Sequence, residues 1–392
     1  MPVTTKRFAA IDILRGIIMV IMALDHVRDY FHIDALTGNP VDLTTTTPAL
    51  FFTRWITHFC APIFVFLSGL SAYISSRNKT KAQMSAFLIK RGLWLIIVEI
   101  VVMSFILTFN PYYNIIFLLV LWAIGWSMVV LGLLIRLSYK WVLCVGLLLF
   151  FGHNIFDHLP AFTGTTGFIV NALITAPRTV LPINSDHLAV SSYAILPWLG
   201  IMLLGYAAGY FYRTEVTRLQ RERFLIFTGL CLLFIFLLLR SINIYGDPSP
   251  WEPQKNGVYT LLSFLNVTKY PVSLQFSCIT VGIGLLLLAF FETKANRLTR
   301  YVSVYGRVPF FYYVFHFLLI HIVCVLLFFI LTPGAPVTDP NSPFLFRPVN
   351  FGFSLPVVYI IWISIVAAMY YPCYRYDRYK QANKQKWWLS YL

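Results

Sequence analysis

The first long apolar segment of the chain carries ionisable side chains that could do chemistry. Arg15 and His26 are eleven residues apart in it, which is three helical turns, so both would lie on one helix face about 16 Å apart along the axis. An imidazole moves a proton readily near neutral pH, and a guanidinium binds anions. Asp12 lies one turn before Arg15, and the alternative is that these two residues only neutralise each other.

A second histidine is predicted at a similar depth. His58 follows the start of the second apolar segment, while Asp25 and Asp29 lie beside His26 at the end of the first. Two imidazoles with nearby carboxylates predict a general acid/base pocket. Arg54 is one turn before His58. It could hold a substrate anion or pair with Asp25, or its side chain could instead reach the outer headgroups.

These side chains need elements that cross a lipid bilayer. The 392-residue chain is 59% hydrophobic and 11% charged, whereas an ordinary soluble domain is roughly 25% charged. A span needs about 20 apolar residues. The predicted fold class is therefore all-α, a polytopic integral membrane protein with about ten transmembrane helices in a single domain over residues 1–392. The predicted spans are 11–31, 51–76, 87–108, 114–135, 141–156, 190–212, 224–244, 271–291, 308–332 and 351–374.

The distribution of charge predicts the orientation of these spans. Most of the 30 lysine and arginine residues fall in alternate connecting segments, beginning with Lys6 and Arg7. Cytoplasmic loops carry the excess of positive charge, so both termini are predicted in the cytoplasm. The net charge of +15 is explained by this topology, and no nucleic acid is expected as a partner.

The cysteines do not suggest a metal or a disulfide framework. All six lie within or at the ends of apolar runs, with no C-x-x-C and no histidine at a metal-binding spacing. They are interpreted as small core residues. No metal cofactor is expected.

Several segments resemble a known family. Arg15 and His26 match the Arg-X10-His pattern of the integral membrane acyltransferases that modify bacterial cell-surface glycans. The surrounding sequence resembles more closely the bacterial heparan-α-glucosaminide N-acetyltransferase-like family, over the whole chain. The similar segments are 11–16 with Asp25 and His26, 57–69, 264–271, 305–309 with His316, and 387–392.

The resemblance implies an acyltransferase that takes acetyl-CoA or another acyl-CoA from the cytoplasm. The acyl group would pass to an acceptor on the outer face, a glycan or amino sugar that offers an amine or a hydroxyl. The implied partners are these two substrates and the bilayer, which the resemblance implies to be the inner membrane of a bacterium. A homo-oligomer is compatible with the sequence. On this basis the predicted residues are His26, Asp25, His58 and His316 for catalysis, Arg15, Asn266, Lys269, Tyr270 and Arg307 for donor binding, and Asp29, Arg54 and His32 for substrate binding.

The sequence departs from the family pattern at one position. The animal members carry an asparagine where His26 stands, with the catalytic histidine in the loop after the first helix. The nearest histidine in that loop here is His32, at a different spacing. The base is therefore predicted to be His26, His32 or His58, and the resemblance does not carry over glucosamine as the acceptor.

Two other functions fit the same residues. A carrier for a small anion or a lipid-linked metabolite would use buried arginine and histidine for substrate binding and proton coupling without any chemistry. A purely structural membrane protein would need these side chains only for stability.

Overall fold

The chain folds into a bundle of helices. The computed structural model describes residues 8–158, 164–175, 179–294 and 296–391, so Lys6, Arg7 and Leu392 lie outside the described residues. The α-helices are α1 (Ala9–Phe31), α2 (Pro48–Thr57), α3 (Cys60–Ser76), α4 (Lys81–Ile97), α5 (Ser104–Thr108), α6 (Val120–Leu134), α7 (Tyr139–Gly152), α8 (Gly164–Val170), α9 (Ile195–Ala208), α10 (Arg218–Ile242), α11 (Gly257–Leu265), α12 (Leu274–Phe291), α13 (Arg297–Arg307), α14 (Pro309–Leu331) and α15 (Leu355–Ala382).

Short helical turns of other types extend several of these helices. A π-helical segment, Val98–Met103, joins α4 to α5, and a second one, Asn171–Thr175, follows α8. The 3-10 turns are His153–His158, Gly209–Tyr212 and Trp387–Ser390.

Each of the ten predicted spans contains at least one helix. Eight helical segments of the described chain are long and apolar enough to cross a membrane. The other two predicted spans correspond to α1 and α6. α1 is a continuous helix whose apolar sequence is interrupted by charged side chains, and α6 has only 15 residues. The fold class is therefore a polytopic helical membrane protein, as predicted. The last helix extends beyond the predicted end at residue 374, because the basic segment 375–382 continues α15.

A small sheet accounts for the shortness of α6. Its strands are β1 (Ile115–Leu118), β2 (Thr179–Pro182) and β3 (Leu188–Ser191), in the order β1-β3-β2. β1 pairs in parallel with β3, and β2 pairs antiparallel with β3. Two predicted spans, 114–135 and 190–212, therefore begin with strand residues, and their helices start at Val120 and Ile195. Isoleucine and valine favour strands, but hydropathy alone does not separate a short apolar strand from the end of a span.

The second span is a helix broken in its interior. α2 ends at Thr57 and α3 begins at Cys60. Pro62 has no N–H to donate to the carbonyl of His58, so the regular helical ladder is interrupted there. The break places His58 at a bend, where its side chain faces the interior of the bundle.

α1 and α13 are in very close contact. A Cβ atom on Gly306 would overlap the backbone carbonyl of Asp12, and one on Gly16 would overlap the carbonyl of Val302. Only glycine permits such an approach of two backbones. This packing brings the carbonyl of Gly306 within reach of Arg15.

Candidate functional site

A large cavity runs along α1. Its volume is about 1580 Å³, and side chains of α1 from Arg15 to Tyr30 line it, which corresponds to about 22 Å of helix axis. We call one end the basic end, because five cationic side chains of the described residues line it: Arg15, Lys79, Arg91, Arg307 and Lys380. We call the other end the loop end, because residues 38–41, 266–270 and 341–344 of the connecting loops line it, together with β-strand residues.

The basic end is rigid and positively charged. Arg15 donates to Ser71 Oγ at 2.7 Å and to the carbonyl of Gly306 at 3.3 Å, and its guanidinium lies 3.8 Å from Asp12. Arg307 is held by Asp377 at 2.7 Å. Among the described residues that line the cavity, the only carboxylates are those of Asp25 and Asp29, which lie on the C-terminal half of α1. The basic end therefore suits a polyanion.

His26 is hydrogen-bonded to His316 on α14. The distance from His26 Nδ1 to His316 Nε2 is 2.7 Å, and His316 Nδ1 lies 2.8 Å from the backbone carbonyl of Tyr312. A carbonyl only accepts, so Nδ1 of His316 donates and Nε2 of the neutral ring accepts. His26 must then donate from Nδ1, and the lone pair is on its Nε2. Of the two imidazoles, that of His26 lines the cavity.

The ring of His26 is also fixed by stacking. Its centroid lies 3.9 Å from that of Phe317, with an angle of 26° between the two planes. His316 itself is fully buried and stacks on Tyr312 at 5.0 Å. One helix, α14, thus sets both the tautomer and the orientation of His26.

Asp25 is held by two arginines. Its Oδ2 is paired with Arg54 on α2, and its Oδ1 accepts from Arg28 at 3.1 Å. Arg28 also donates to Asp29 at 2.6 Å. The four side chains form a cluster with two positive and two negative charges, and all four line the cavity. Asp25 therefore joins α1 to α2. Among the described residues, Nδ1 of His26 bonds to His316 and not to either aspartate.

His58 presents an unpaired ring nitrogen. The side chain is 5% exposed and lines the cavity, and its ring lies 5.6 Å from that of Phe276. Its Nδ1 has no hydrogen-bond partner in the part of the chain that the structure describes. A buried polar atom without a protein partner indicates a water or ligand contact.

The predicted donor-binding residues occupy opposite ends of the cavity. Arg15 and Arg307 are at the basic end, whereas Asn266, Lys269 and Tyr270 are at the loop end. The amide of Asn266 donates to the carbonyl of Val41 at 3.1 Å, so this side chain fixes the loop. Burial opposes ionisation of Tyr270, but the charges of Lys269 and Arg54 outweigh it and lower the pKa of the phenol.

His32 is the predicted substrate-binding residue that does not line the cavity. It follows the C-terminus of α1, where its Nδ1 accepts from the amide of Asp34 at 3.2 Å and its carbonyl accepts from Arg347 at 2.9 Å. Burial lowers the pKa of its imidazole. Its described contacts are those of a helix end, which leaves His26 and His58 as the predicted bases that line the cavity.

Several cavity residues were not predicted from the sequence. Arg28 is three residues after Asp25, so the helical spacing of the pair was a signal that could have found it. Lys79, Arg91 and Lys380 belong to the basic segments that predicted the topology, and none of them was predicted individually as a binding residue. Ser71 carries no signal of its role. Within the described ranges, no group of three or more histidine, cysteine, aspartate or glutamate side chains could hold a metal ion.

Comparison with known families gives one match. The model of the family described as heparan-alpha-glucosaminide N-acetyltransferase, catalytic, matches residues 7–240, which is more than half of the chain. A comparison with curated proteins finds no match. The matched range includes Arg15, His26 and His58, whereas Lys269 and His316 lie beyond it.

Proposed function

The chain belongs to the heparan-alpha-glucosaminide N-acetyltransferase catalytic family, and from this premise we propose that it transfers an acetyl or other acyl group from cytoplasmic acyl-CoA to an amine or hydroxyl of a sugar on the outer face. The family and the membrane-spanning helices make it a transmembrane acetyltransferase. The donor, the acceptor, the orientation and the residues below are the proposal. The proposed location is the inner membrane of a bacterium, and the positive charge of the basic loops supports a cytoplasmic position of both termini.

The basic end of the cavity is the proposed entrance for the donor. CoA carries its phosphates at one end and its thioester at the other. Arg15, Arg91 and Arg307 line the cavity with Lys79 and Lys380, and charge-assisted hydrogen bonds from such groups hold phosphates strongly. With the phosphates at this end, the extended pantetheine arm would direct the thioester along α1 towards His26.

His26 is the proposed general base. Its Nε2 would take the proton from the acceptor amine or hydroxyl as that group attacks the thioester carbonyl. When the tetrahedral intermediate collapses, the C–S bond breaks and the same proton passes from Nε2 to the leaving thiolate. His316 would keep the Nδ1 proton of His26 in place and stabilise the imidazolium, and the free nitrogen of His58 would bond to the reacting oxygen or to the acceptor.

The hydrogen bond between His26 and His316 is the observation that carries this proposal. It fixes a basic nitrogen on His26, which lines a cavity that has a cluster of cations at one end. The test is release of free thiol from acetyl-CoA by the purified protein in nanodiscs, with glucosamine or cell-wall sugars present. Thiol release that needs the acceptor and is lost in His26→Ala supports the enzyme. Absence of both thiol release and saturable acetyl-CoA binding contradicts it.

A carrier is the second candidate, because a cavity lined along about 22 Å of α1 would also suit a translocated solute. A carrier would move its substrate across proteoliposomes without consuming acyl-CoA. Transport that requires His26 in the absence of acyl-CoA would favour this function over acyl transfer.

A further inference from the structure

Among the described residues at the loop end, one positive charge has no compensating anion. Arg28 and Arg54 are paired with Asp25 and Asp29, so this cluster is neutral as a whole. Lys269 lines the same part of the cavity and is only 8% exposed. Its ammonium contacts two ring faces, with centroids at 5.2 Å for Tyr270 and 5.9 Å for Tyr193.

The ammonium of Lys269 makes no hydrogen bond or ion pair within the described ranges. A desolvated ammonium is costly unless it is paired, and aromatic faces replace only a part of the lost hydration. The negative charge that pairs with Lys269 must therefore come from a molecule that enters the cavity.

The loop that carries Lys269 is held firmly from behind. Asp247 accepts from the amide and the hydroxyl of Thr268 at 2.8 and 2.7 Å and from the hydroxyl of Ser273 at 2.7 Å. Arg240 donates to the carbonyl of Asn266 at 2.9 Å. These bonds fix the backbone on both sides of Lys269, so its charge is preorganised towards the cavity.

We propose that Lys269 binds an anionic group of the acceptor, which makes the acceptor a sugar that carries a phosphate or a carboxylate near the amine or hydroxyl to be acylated. This inference rests on the proposed function and narrows its acceptor class. The position of Lys269 among the loops, at the opposite end from Arg15 and Arg307, assigns its charge to the acceptor and not to the phosphates of CoA.

The activity test compares three acceptors. Glucosamine lacks an anionic group, glucosamine 6-phosphate carries a phosphate, and a disaccharide of glucuronic acid and glucosamine carries a carboxylate. We expect the better anionic acceptor to exceed glucosamine in kcat/KM by roughly ten- to hundredfold, which is the range of one charge-assisted hydrogen bond. The preferred anionic acceptor identifies the anion as phosphate or carboxylate.

Substitutions at Lys269 test whether its positive charge causes the preference for anionic acceptors. Lys269→Gln should reduce the ratio of kcat/KM between anionic acceptor and glucosamine to near one, and Lys269→Arg should retain most of it. Lys255→Gln is the matched control, because Lys255 is an exposed lysine on a neighbouring outer segment. A loss of the same factor with every acceptor would overturn the proposal and assign Lys269 to the transition state or to folding. A wild-type enzyme without preference for the anionic acceptors would also overturn it.

Direct binding separates this inference from the proposed function. Calorimetry with glucosamine 6-phosphate and with the glucuronic acid disaccharide requires no turnover. Binding of either one that weakens at least tenfold in Lys269→Gln, but not in Lys255→Gln, supports the anion site even if no acyl transfer is detected. Absence of binding of both by wild type, in a preparation that does acylate glucosamine, contradicts the anion site and leaves the acyltransferase intact.

Discussion

The guanidinium of Arg54 on α2 is ion-paired with the carboxylate of Asp25 on α1, directly beside His26 in the sequence. The sequence left open whether Arg54 pairs with Asp25, holds a substrate or reaches the headgroups, and the structure places it on Asp25. The same carboxylate accepts from Arg28. Asp25 therefore acts on the position of α2 relative to α1, and His316 is the residue that orients His26.

Removal of either partner of the buried pair should destabilise the protein. Asp25→Ala leaves the buried guanidinium of Arg54 without its carboxylate, although Arg28 keeps its pair with Asp29. Arg54→Ala removes the link to α2, so we expect either variant to lose about 3–5 kcal/mol. The measurement is thermal unfolding in detergent. Arg218→Ala, which breaks an exposed pair with Glu222, is the control and should change the midpoint little. Equal midpoints for all three variants would show that the buried pair is not needed.

His316 should affect turnover and leave donor binding unchanged. His26→Ala should lower kcat by roughly 100- to 10,000-fold because the base is lost. His316→Phe keeps the base and removes the acceptor for its Nδ1 proton, so a smaller loss of kcat with an unchanged KM for acetyl-CoA is expected. His316→Asn offers an amide oxygen and should recover a part of the activity. A fall in acetyl-CoA affinity in His316→Phe would instead indicate a structural role.

The proposed mechanism predicts the pattern of the steady-state kinetics. Direct attack of the acceptor on the thioester needs both substrates in the cavity, so initial rates should show the intersecting pattern of a ternary complex. Ping-pong kinetics would contradict direct transfer and indicate an acyl-enzyme intermediate, with His26 as the candidate nucleophile.

The basic end should set the affinity for the donor. Arg15→Gln removes a charge that lines the cavity, and we expect KM for acetyl-CoA to rise roughly tenfold or more, since hydrogen bonds to charged groups contribute about 1.5–3 kcal/mol. Arg300→Gln is the control, because Arg300 is an exposed arginine on α13. Calorimetry with CoA at two salt concentrations checks the electrostatic origin. A KM that stays at the wild-type value would contradict a donor site at this end.

The contact between α1 and α13 should not tolerate a side chain. Gly306→Ala would place a methyl group against the backbone of Asp12, and overpacking of this kind costs about 1–3 kcal/mol or more. Loss of thermal stability and of donor affinity are expected together, because the Gly306 carbonyl also accepts from Arg15. Gly257→Ala is the control, since nothing lies within 4 Å of the added atom. Equal thermal stability of the two variants would contradict the claim that the contact between α1 and α13 excludes a side chain at Gly306.

The spans could be predicted from the sequence because each is an apolar run of nearly the right length. The predicted span was wrong at residues 115–118, because backbone pairing with β3 and not hydropathy determines their structure. Arg15, His26, Asp25, Arg54 and His58 were selected as ionisable groups within spans, and all five line one cavity.

The partners of these residues could not be predicted in the same way. Contacts within α1, such as Asp25 with Arg28, follow from helical spacing, whereas His26 and His316 are separated by 290 positions. Which helices become neighbours depends on the packing of the whole bundle, and the spacing of residues along one sequence does not predict that packing. The same holds for Ser71 against Arg15 and for the loop that places Lys269.

The ion pairs within α1 have a consequence for how the protein is made. α1 emerges from the ribosome long before α14, so it enters the bilayer while His316 does not yet exist. A single charge at mid-membrane costs about 2.5–3.5 kcal/mol on insertion. Asp12 lies within reach of Arg15 and Asp25 of Arg28 one turn apart on the same helix, so α1 can neutralise most of its own charge at once. The newly inserted helix is thereby stabilised in the bilayer before α14 supplies His316, and the cavity is complete only when the last helices have been added.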